Sequence, residues 1–415
     1  MIVQSYRNNN YKLIQTERWS KRIQLLREPS STFNIIASYE ERSNLVSGDI
    51  VRRPYATALY ARTLPSTGEY TRQELTTTTE YLEVATKKEV SFFLQDYEKI
   101  QASVPLTDRF AKNAGDVINN ALDGDVLGEY DQADSVIGAY EMDGTGSLAD
   151  GLGFTLSTSN VLKAFTTAKK KLNRLNIPQD NRWGIISGEF EDVMLQWFGG
   201  KESPLGDSTG KNGHIGKYMG FNLYLSNALG WSGRLEAATL FDEASTVTVN
   251  GVTFTSNATM GSAEGSLHLI DSATHCNTNF ANAINTPDTD IDEAAGTGFV
   301  GFSTAAYLKA LSNIVATAAA TYVTLKAEGK GWIAVSETLD TEADIWTTTK
   351  QIQHCLFGQG KPIDLIVQKY PNIETRDRTG YIGKDFVTWQ LHGLKTFDEG
   401  DAQMVDFKVR SDSWS

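Results

Sequence analysis

The stretch from residue 50 to residue 90 constrains this chain most. It is rich in Thr, Tyr, Val and Leu and is broken in the middle by Pro65-Ser66-Thr67-Gly68, a pattern that predicts a long two-stranded excursion with an irregular tip. Too few of its residues are apolar to build a core, and a two-stranded ribbon is marginal on its own in water. The excursion therefore needs a surface outside itself, and a neighbouring subunit is the simplest one.

The rest of the chain has ample material for packing. With 415 residues, 40% hydrophobic and 21% charged, it can build two or three cores and is not expected to be disordered throughout. The net charge of -13 argues against general nucleic-acid binding, which depends on clustered Lys and Arg. The charge is uneven, however. Residues 1–62 hold ten Lys or Arg against five Asp or Glu, a net of +5 that leaves -18 for the remainder. A basic arm on an acidic body fits an arm that lies on acidic neighbours, or one that meets nucleic acid or a scaffold; a solvated N-terminal face is the plain alternative. No apolar run reaches the length of a membrane span, and the N-terminal Met1-Ile2-Val3-Gln4-Ser5-Tyr6-Arg7 lacks the apolar core of a signal peptide, so the expectation is a chain made in the cytosol with no membrane partner. Cys276 and Cys355 are too few and too distant to form a disulfide framework.

Read along its length, the chain begins with an extended arm that ends at the turn signal Ser47-Gly48-Asp49. After Pro105, with Thr107 as a candidate N-cap, Phe110, Ala114, Val117, Ile118, Ala121 and Leu122 recur at helical spacing. A second helix opens at Thr158, with Val161, Leu162, Phe165, Ala168, Leu172 and Leu175 on one face, and ends at Pro178. A buried strand over 183–186 and a short helix over 190–198 continue an α/β alternation. The glycines at 213, 216 and 220 make a turn that feeds a half-buried strand over 221–225. Asn250-Gly251 between alternating Thr and Val marks a hairpin over 246–255, because a type I′ turn needs φ > 0 at both central residues. Helical text over 272–285 follows, then a helix with Tyr307, Leu308, Leu311, Ile314 and Val315 on one face and a strand over 322–325. Residues 230–349 read as a small α/β domain inserted into a larger one. Near the C-terminus, 386–391 and 404–409 alternate around Asp398-Glu399-Gly400-Asp401 in the manner of a β-hairpin.

Motifs for chemistry are sparse. Gly206-Asp207-Ser208-Thr209-Gly210-Lys211-Asn212 has three residues between its glycines, one fewer than a phosphate loop, and lacks the Ser or Thr after Lys that would hold magnesium. Asp288-Thr289-Asp290-Ile291-Asp292-Glu293 begins like a calcium loop but has Glu293 where Gly is needed and Phe299 where Glu is needed. His275-Cys276 and His354-Cys355 lack zinc spacing, and Ser232 in Gly230-Trp231-Ser232-Gly233 has the wrong register for a nucleophile elbow. Neither a cofactor, a metal site nor an enzyme activity is expected.

The run Asn212 to Asn227, with Arg182-Trp183-Gly184-Ile185-Ile186-Ser187 upstream and Phe357-Gly358-Gln359-Gly360-Lys361-Pro362-Ile363 downstream, resembles the axial domain of a tailed-bacteriophage major capsid protein, the fold named after phage Hong Kong 97. The resemblance implies an α+β subunit. Residues 1–48 would be the N-terminal arm and 49–90 the extended loop. The peripheral domain with its spine helix would comprise 91–157 and 370–400; the axial domain 158–229, 350–369 and 401–415; the insertion domain 230–349. It implies a virion protein that assembles in the bacterial host cytoplasm into hexamers and pentamers of an icosahedral head, enclosing double-stranded DNA without sequence-specific contacts. Partners on this reading are further copies of the chain, a separate scaffolding protein, a portal and a decoration protein. Arg52, Arg53, Arg62, Trp19 and Arg22 are the candidate inter-subunit contacts. Some members weld their shells through a loop lysine and a peripheral asparagine; here Asn372 is in a suitable region, but no Lys lies between Lys21 and Lys87, so self-crosslinking is not expected. An encapsulin-like compartment, or a secreted adhesin or carbohydrate-binding protein, are the rival readings.

Overall fold

A computed structural model of the chain describes residues 31–43, 48–56, 59–64, 66–70, 72–75, 77–96, 106–146, 151–199, 216–237, 241, 243–257, 262–268, 272–290, 298–329, 331–339, 346–347, 350–377 and 380–410. Trp19, Arg22 and the glycine-spaced loop 206–212 lie outside these residues, as do 291–297 of the acidic loop.

The strands of the described residues, in chain order, are β1 (Ala37–Ser38), β2 (Ile50–Ala56), β3 (Thr77–Glu83), β4 (Thr86–Gln95), β5 (Ser135–Ile137), β6 (Arg182–Ile186), β7 (Lys217–Tyr218), β8 (Phe221–Leu225), β9 (Gly230–Glu236), β10 (Thr246–Val249), β11 (Val252–Asn257), β12 (Ser266–His268), β13 (Ile314–Ala318), β14 (Tyr322–Ala327), β15 (Val335–Glu337), β16 (Ile352–Gln359), β17 (Ile363–Lys369), β18 (Ile373–Asp377), β19 (Gly383–Thr396) and β20 (Met404–Arg410). The chain divides into two compact units. The smaller draws on Glu89–Ile118 and Pro371–Trp389, the larger on Pro29–Lys88, Asn119–Tyr370 and Gln390–Ser415.

In the larger unit a nine-stranded sheet runs β13-β14-β9-β16-β6-β8-β7, with β20 on β16 and β5 on β20. All five residues of β6 are buried, as expected of a strand covered on both faces that pairs in parallel with β8. Against this sheet lies the helix Val161–Arg174, whose buried face is Val161, Ala164, Phe165, Ala168 and Leu172. Phe165 presents its edge to Phe190, Tyr218 and Phe357, so aromatic contacts tie helix to sheet. Leu162, expected on the buried face, is exposed; the i, i+3, i+4, i+7 stripe that starts at Val161 leaves no room for the next residue round the helix. Leu225 is likewise exposed, because burial in β8 ends after Leu223. Arg182 is buried, and it donates from Nε to the Pro178 carbonyl at 2.8 Å and from a terminal nitrogen to Asn173 Oδ1 at 2.7 Å and the Ile177 carbonyl at 2.8 Å. It thereby fixes the chain that leaves the helix.

Residues 230–349 have a hydrophobic core of their own, in which Phe254 meets Phe280, Phe299 and Phe302. The β10–β11 hairpin turns at Asn250 and Gly251 with φ of 49° and 79°, as the Asn-Gly pair requires. The helix Ala273–Asn285 is capped by Ser272, which accepts from the His275 amide. Yet β9 is bonded on one side to β14 and on the other to β16, with Ser232 opposite Lys326 and Ile352, so the sheet passes through the start of this block without a break. Ile314 and Val315 do not continue the helix Ala305–Leu311; Asn313 takes φ 60°, and these β-branched residues enter β13.

The expected hairpin of 386–391 with 404–409 does not form. Leu391–Thr396 of β19 pairs with β17, whereas β20 pairs with β16 and β5. Alternation reports that each strand is half-buried, not which strand is its partner, and the helical turn Asp398–Asp401 redirects the chain between them.

In the smaller unit β18 pairs with Lys384–Thr388 of β19 as an antiparallel hairpin. Phe92 stacks on Phe386 with centroids 5.1 Å apart and tilts against Phe110 at 5.8 Å. Tyr381 and Ile382 at the hairpin end are exposed.

Candidate functional site: an exposed ribbon and a buried Ser-His-Asp array

Of the excursion predicted over 50–90, a two-stranded ribbon is present over 50–83, and residues 86–90 belong instead to β4. β2 and β3 pair antiparallel from Ile50 opposite Glu83 to Ala56 opposite Thr77, as a two-stranded sheet. Its base is held by Leu82 and Val84, which are buried against Ile366 and Phe397. Farther out the described residues carry Leu59, Tyr60, Leu64, Tyr70 and Leu75, 60–75% exposed. Apolar exposure of this density stands apart from the single scattered apolar residues usual on a protein surface.

The candidate contact arginines Arg52, Arg53 and Arg62 differ. Arg53 is held within its own chain, 2.7 Å from Glu41 and 3.0 Å from Asp364, with its guanidinium over the Phe397 ring. Burial pushes the Asp364 carboxyl above its ordinary range, against the pull of Arg53. Arg52, opposite Tyr81, is exposed. Arg62 is exposed too, packed over the Tyr60 ring at 4.8 Å and donating to its hydroxyl.

Asp123 fixes the chain at Thr32 and Phe33. Buried in the helix Leu106–Leu127, its Oδ1 accepts from the Thr32 amide at 2.8 Å, the Phe33 amide at 2.6 Å and the Thr32 hydroxyl at 3.3 Å. Burial still pushes this carboxyl up, with the Thr32 and Phe33 amides opposing. The anchored segment then enters β1, which pairs in parallel with β17.

One polar grouping went unseen in the sequence. Ser232 on β9, His354 on β16 and Asp406 on β20 come together: Ser232 Oγ lies 2.9 Å from His354 Nε2, and His354 Nδ1 lies 3.0 Å from both Asp406 oxygens. Tyr130 stacks on the imidazole at 3.7 Å, with planes 12° apart, and burial holds its phenol far above the ordinary range. The signal that could have found the grouping is strand adjacency: β9, β16 and β20 are successive neighbours in the sheet. Both cysteines are buried and neither forms a disulfide, and burial pushes the Cys355 thiol up to about 12, which leaves it inert at neutral pH. Asp290 of the acidic loop accepts from the Gly301 amide at 2.8 Å, and Phe299 is buried.

No protein-family model and no curated protein matches the sequence. Solved structures do match in fold. A chain of Mycobacterium phage Che8 aligns over 95% of this chain and 96% of its own length, at 12% identity and a TM-score of 0.55. A chain of the capsid structure of cyanophage P-SCSP1u aligns over 96% and 94%, at 10% identity and 0.53. A chain of the bacteriophage PhiM1 mature capsid aligns over 96% and 92%, at 8% identity and 0.50. The chain therefore has the α+β fold of tailed-phage major capsid proteins.

Proposed function

We propose that this chain is the major shell subunit of a tailed-phage head, whose copies assemble into hexamers and pentamers of an icosahedral shell around double-stranded DNA. The observation that carries this reading is a capsid fold aligned over nearly the full length of both chains, and the exposed apolar residues of the segment joining β2 to β3 support it. In this reading residues 1–48 and 49–90 reach over adjacent subunits. The β18–β19 hairpin and the helix Leu106–Leu127 belong to the peripheral region, and β6, β7, β8, β16 and β20 of the nine-stranded sheet to the axial one. Heterologous contacts of this kind, repeated by rotation, close into rings. Arg52 and Arg62 face acidic surfaces of neighbours, the acidic body keeps packaged DNA from adhering to the wall, and a separate scaffolding protein, a portal and a decoration protein complete the particle. The role is structural, in a virion assembled in the host cytoplasm.

Negative-stain microscopy of the purified chain, alone and with candidate scaffolds from the same source, tests this. Closed particles or free hexamers and pentamers are expected. Monomers alone under every condition would overturn it.

A further inference from the structure

Ser232, His354 and Asp406 are arranged as a nucleophile, a base and an orienting carboxylate. Asp406 and His354 are 2% and 3% exposed. A carboxylate can only accept, so the Nδ1 that faces Asp406 carries the hydrogen. Nε2 is then left with its lone pair toward the Ser232 hydroxyl at 2.9 Å. Tyr130 on the ring face restrains rotation of the imidazole. The ring is buried beneath Tyr130, yet Ser232 and His354 both line a cavity of about 280 Å³. The same cavity is bordered by Arg234, Lys326, Lys350 and Lys408, against Asp131. Arg234 is partnered by Glu236 and Lys326 by Asp131, so these cations are positioned by neighbouring carboxylates.

We propose that Ser232 is an activated nucleophile that takes an acyl group from small esters carrying a negative charge. Oγ attacks the carbonyl carbon, forming the new C–O bond while its proton passes to His354 Nε2. Asp406 holds the imidazolium, and the cations lining the cavity stabilise the oxyanion. The ester C–O bond then breaks, and the alcohol departs with the proton from Nε2. Water repeats the sequence on the acyl-serine, releasing the carboxylic acid and restoring the hydroxyl. The proposal is independent of the assembly role.

The test uses the full chain with a fluorophosphonate probe, read by intact mass and peptide mapping, and with two esters, mono-4-nitrophenyl succinate and neutral 4-nitrophenyl acetate. One adduct per chain at Ser232 is expected, together with cleavage of the anionic ester about tenfold faster than the neutral one, the scale of one favourable charge contact. S232A abolishes both, and H354Q slows labelling by about 100-fold or more. H354Q removes a buried ring and can impair folding, so the decision rests on wild type and S232A, which loses a single hydroxyl. No adduct at Ser232, or ester cleavage that survives S232A, overturns the activated serine. Equal cleavage of the two esters overturns the anionic substrate class.

Discussion

The Arg53 guanidinium lies 4.2 Å over the centre of the Phe397 ring. The same group reaches Glu41 and Asp364, so one side chain joins the base of the ribbon to three separate segments. R53M keeps the stem on the ring but strands two partly buried carboxylates, and should cost about 1–2 kcal/mol in chemical denaturation. Hydrogen exchange should rise in β2 and β3. The double variant R53M/D364N should recover part of the loss; strict additivity would show that the pair is not coupled.

Asp123 serves two backbone amides at once. D123A leaves the Thr32 and Phe33 amides without their acceptor, at a cost of about 2–4 kcal/mol. D123N retains an oxygen at that position and should lose less. A D123A protein that melts like wild type would remove Asp123 as the anchor of Thr32 and Phe33.

Burial pushes the Asp401 carboxyl up to about 6, with Asp398, Glu80 and Glu129 adding to the rise and Lys395 opposing it. Because the folded value is raised above the ordinary one, the folded state binds the proton more tightly, and stability falls as pH rises between about 4 and 6. D401N removes that loss. Its melting temperature should exceed wild type at pH 7.5 and match it near pH 4; an equal gap at both values contradicts the assignment.

Two glycines of the helix Leu106–Leu127 make opposite forecasts. At Gly124 a Cβ would sit 2.8 Å from the Gly329 Cα, a backbone-to-backbone approach, whereas at Gly115 it would meet nothing within 4 Å. G124A should destabilise by about 1–3 kcal/mol through overpacking, and G115A should stabilise by roughly 0.5–1 kcal/mol through helix propensity. Thermal melts of the two variants decide.

If Arg52 and Arg62 face acidic neighbours, the pair R52A/R62A should fold normally yet assemble more slowly, with a weaker dependence of assembly rate on salt. Light scattering across salt concentrations measures this. Identical curves for wild type and variant would reject an electrostatic role for both. Denatured particles should run as single chains on gels.

Local order was legible in the sequence wherever periodicity and turn chemistry act over short range. The helices 106–127, 161–174 and 188–199, the Asn250-Gly251 hairpin and the ribbon all follow from such signals. What escaped lies in partner choice. Ser232 and His354 are 122 positions apart, and His354 and Asp406 are 52 apart; each sits in an unremarkable strand, and only the sheet order makes them neighbours. The mistaken hairpin of 386–391 with 404–409 failed for the same reason. Arg53 was readable as a basic residue of the loop, but its closure on Asp364 and Phe397 depends on β17 and on the end of β19.

The unbroken passage of β9 between β14 and β16 has a mechanical consequence. A block hung on a flexible tether would swing, and a pull on it would be absorbed by the tether. Here a tug on residues 230–349 loads a ladder of parallel-acting hydrogen bonds in shear, so they must fail together. If the chain builds a shell as proposed, whatever grips this block has hold of the sheet itself.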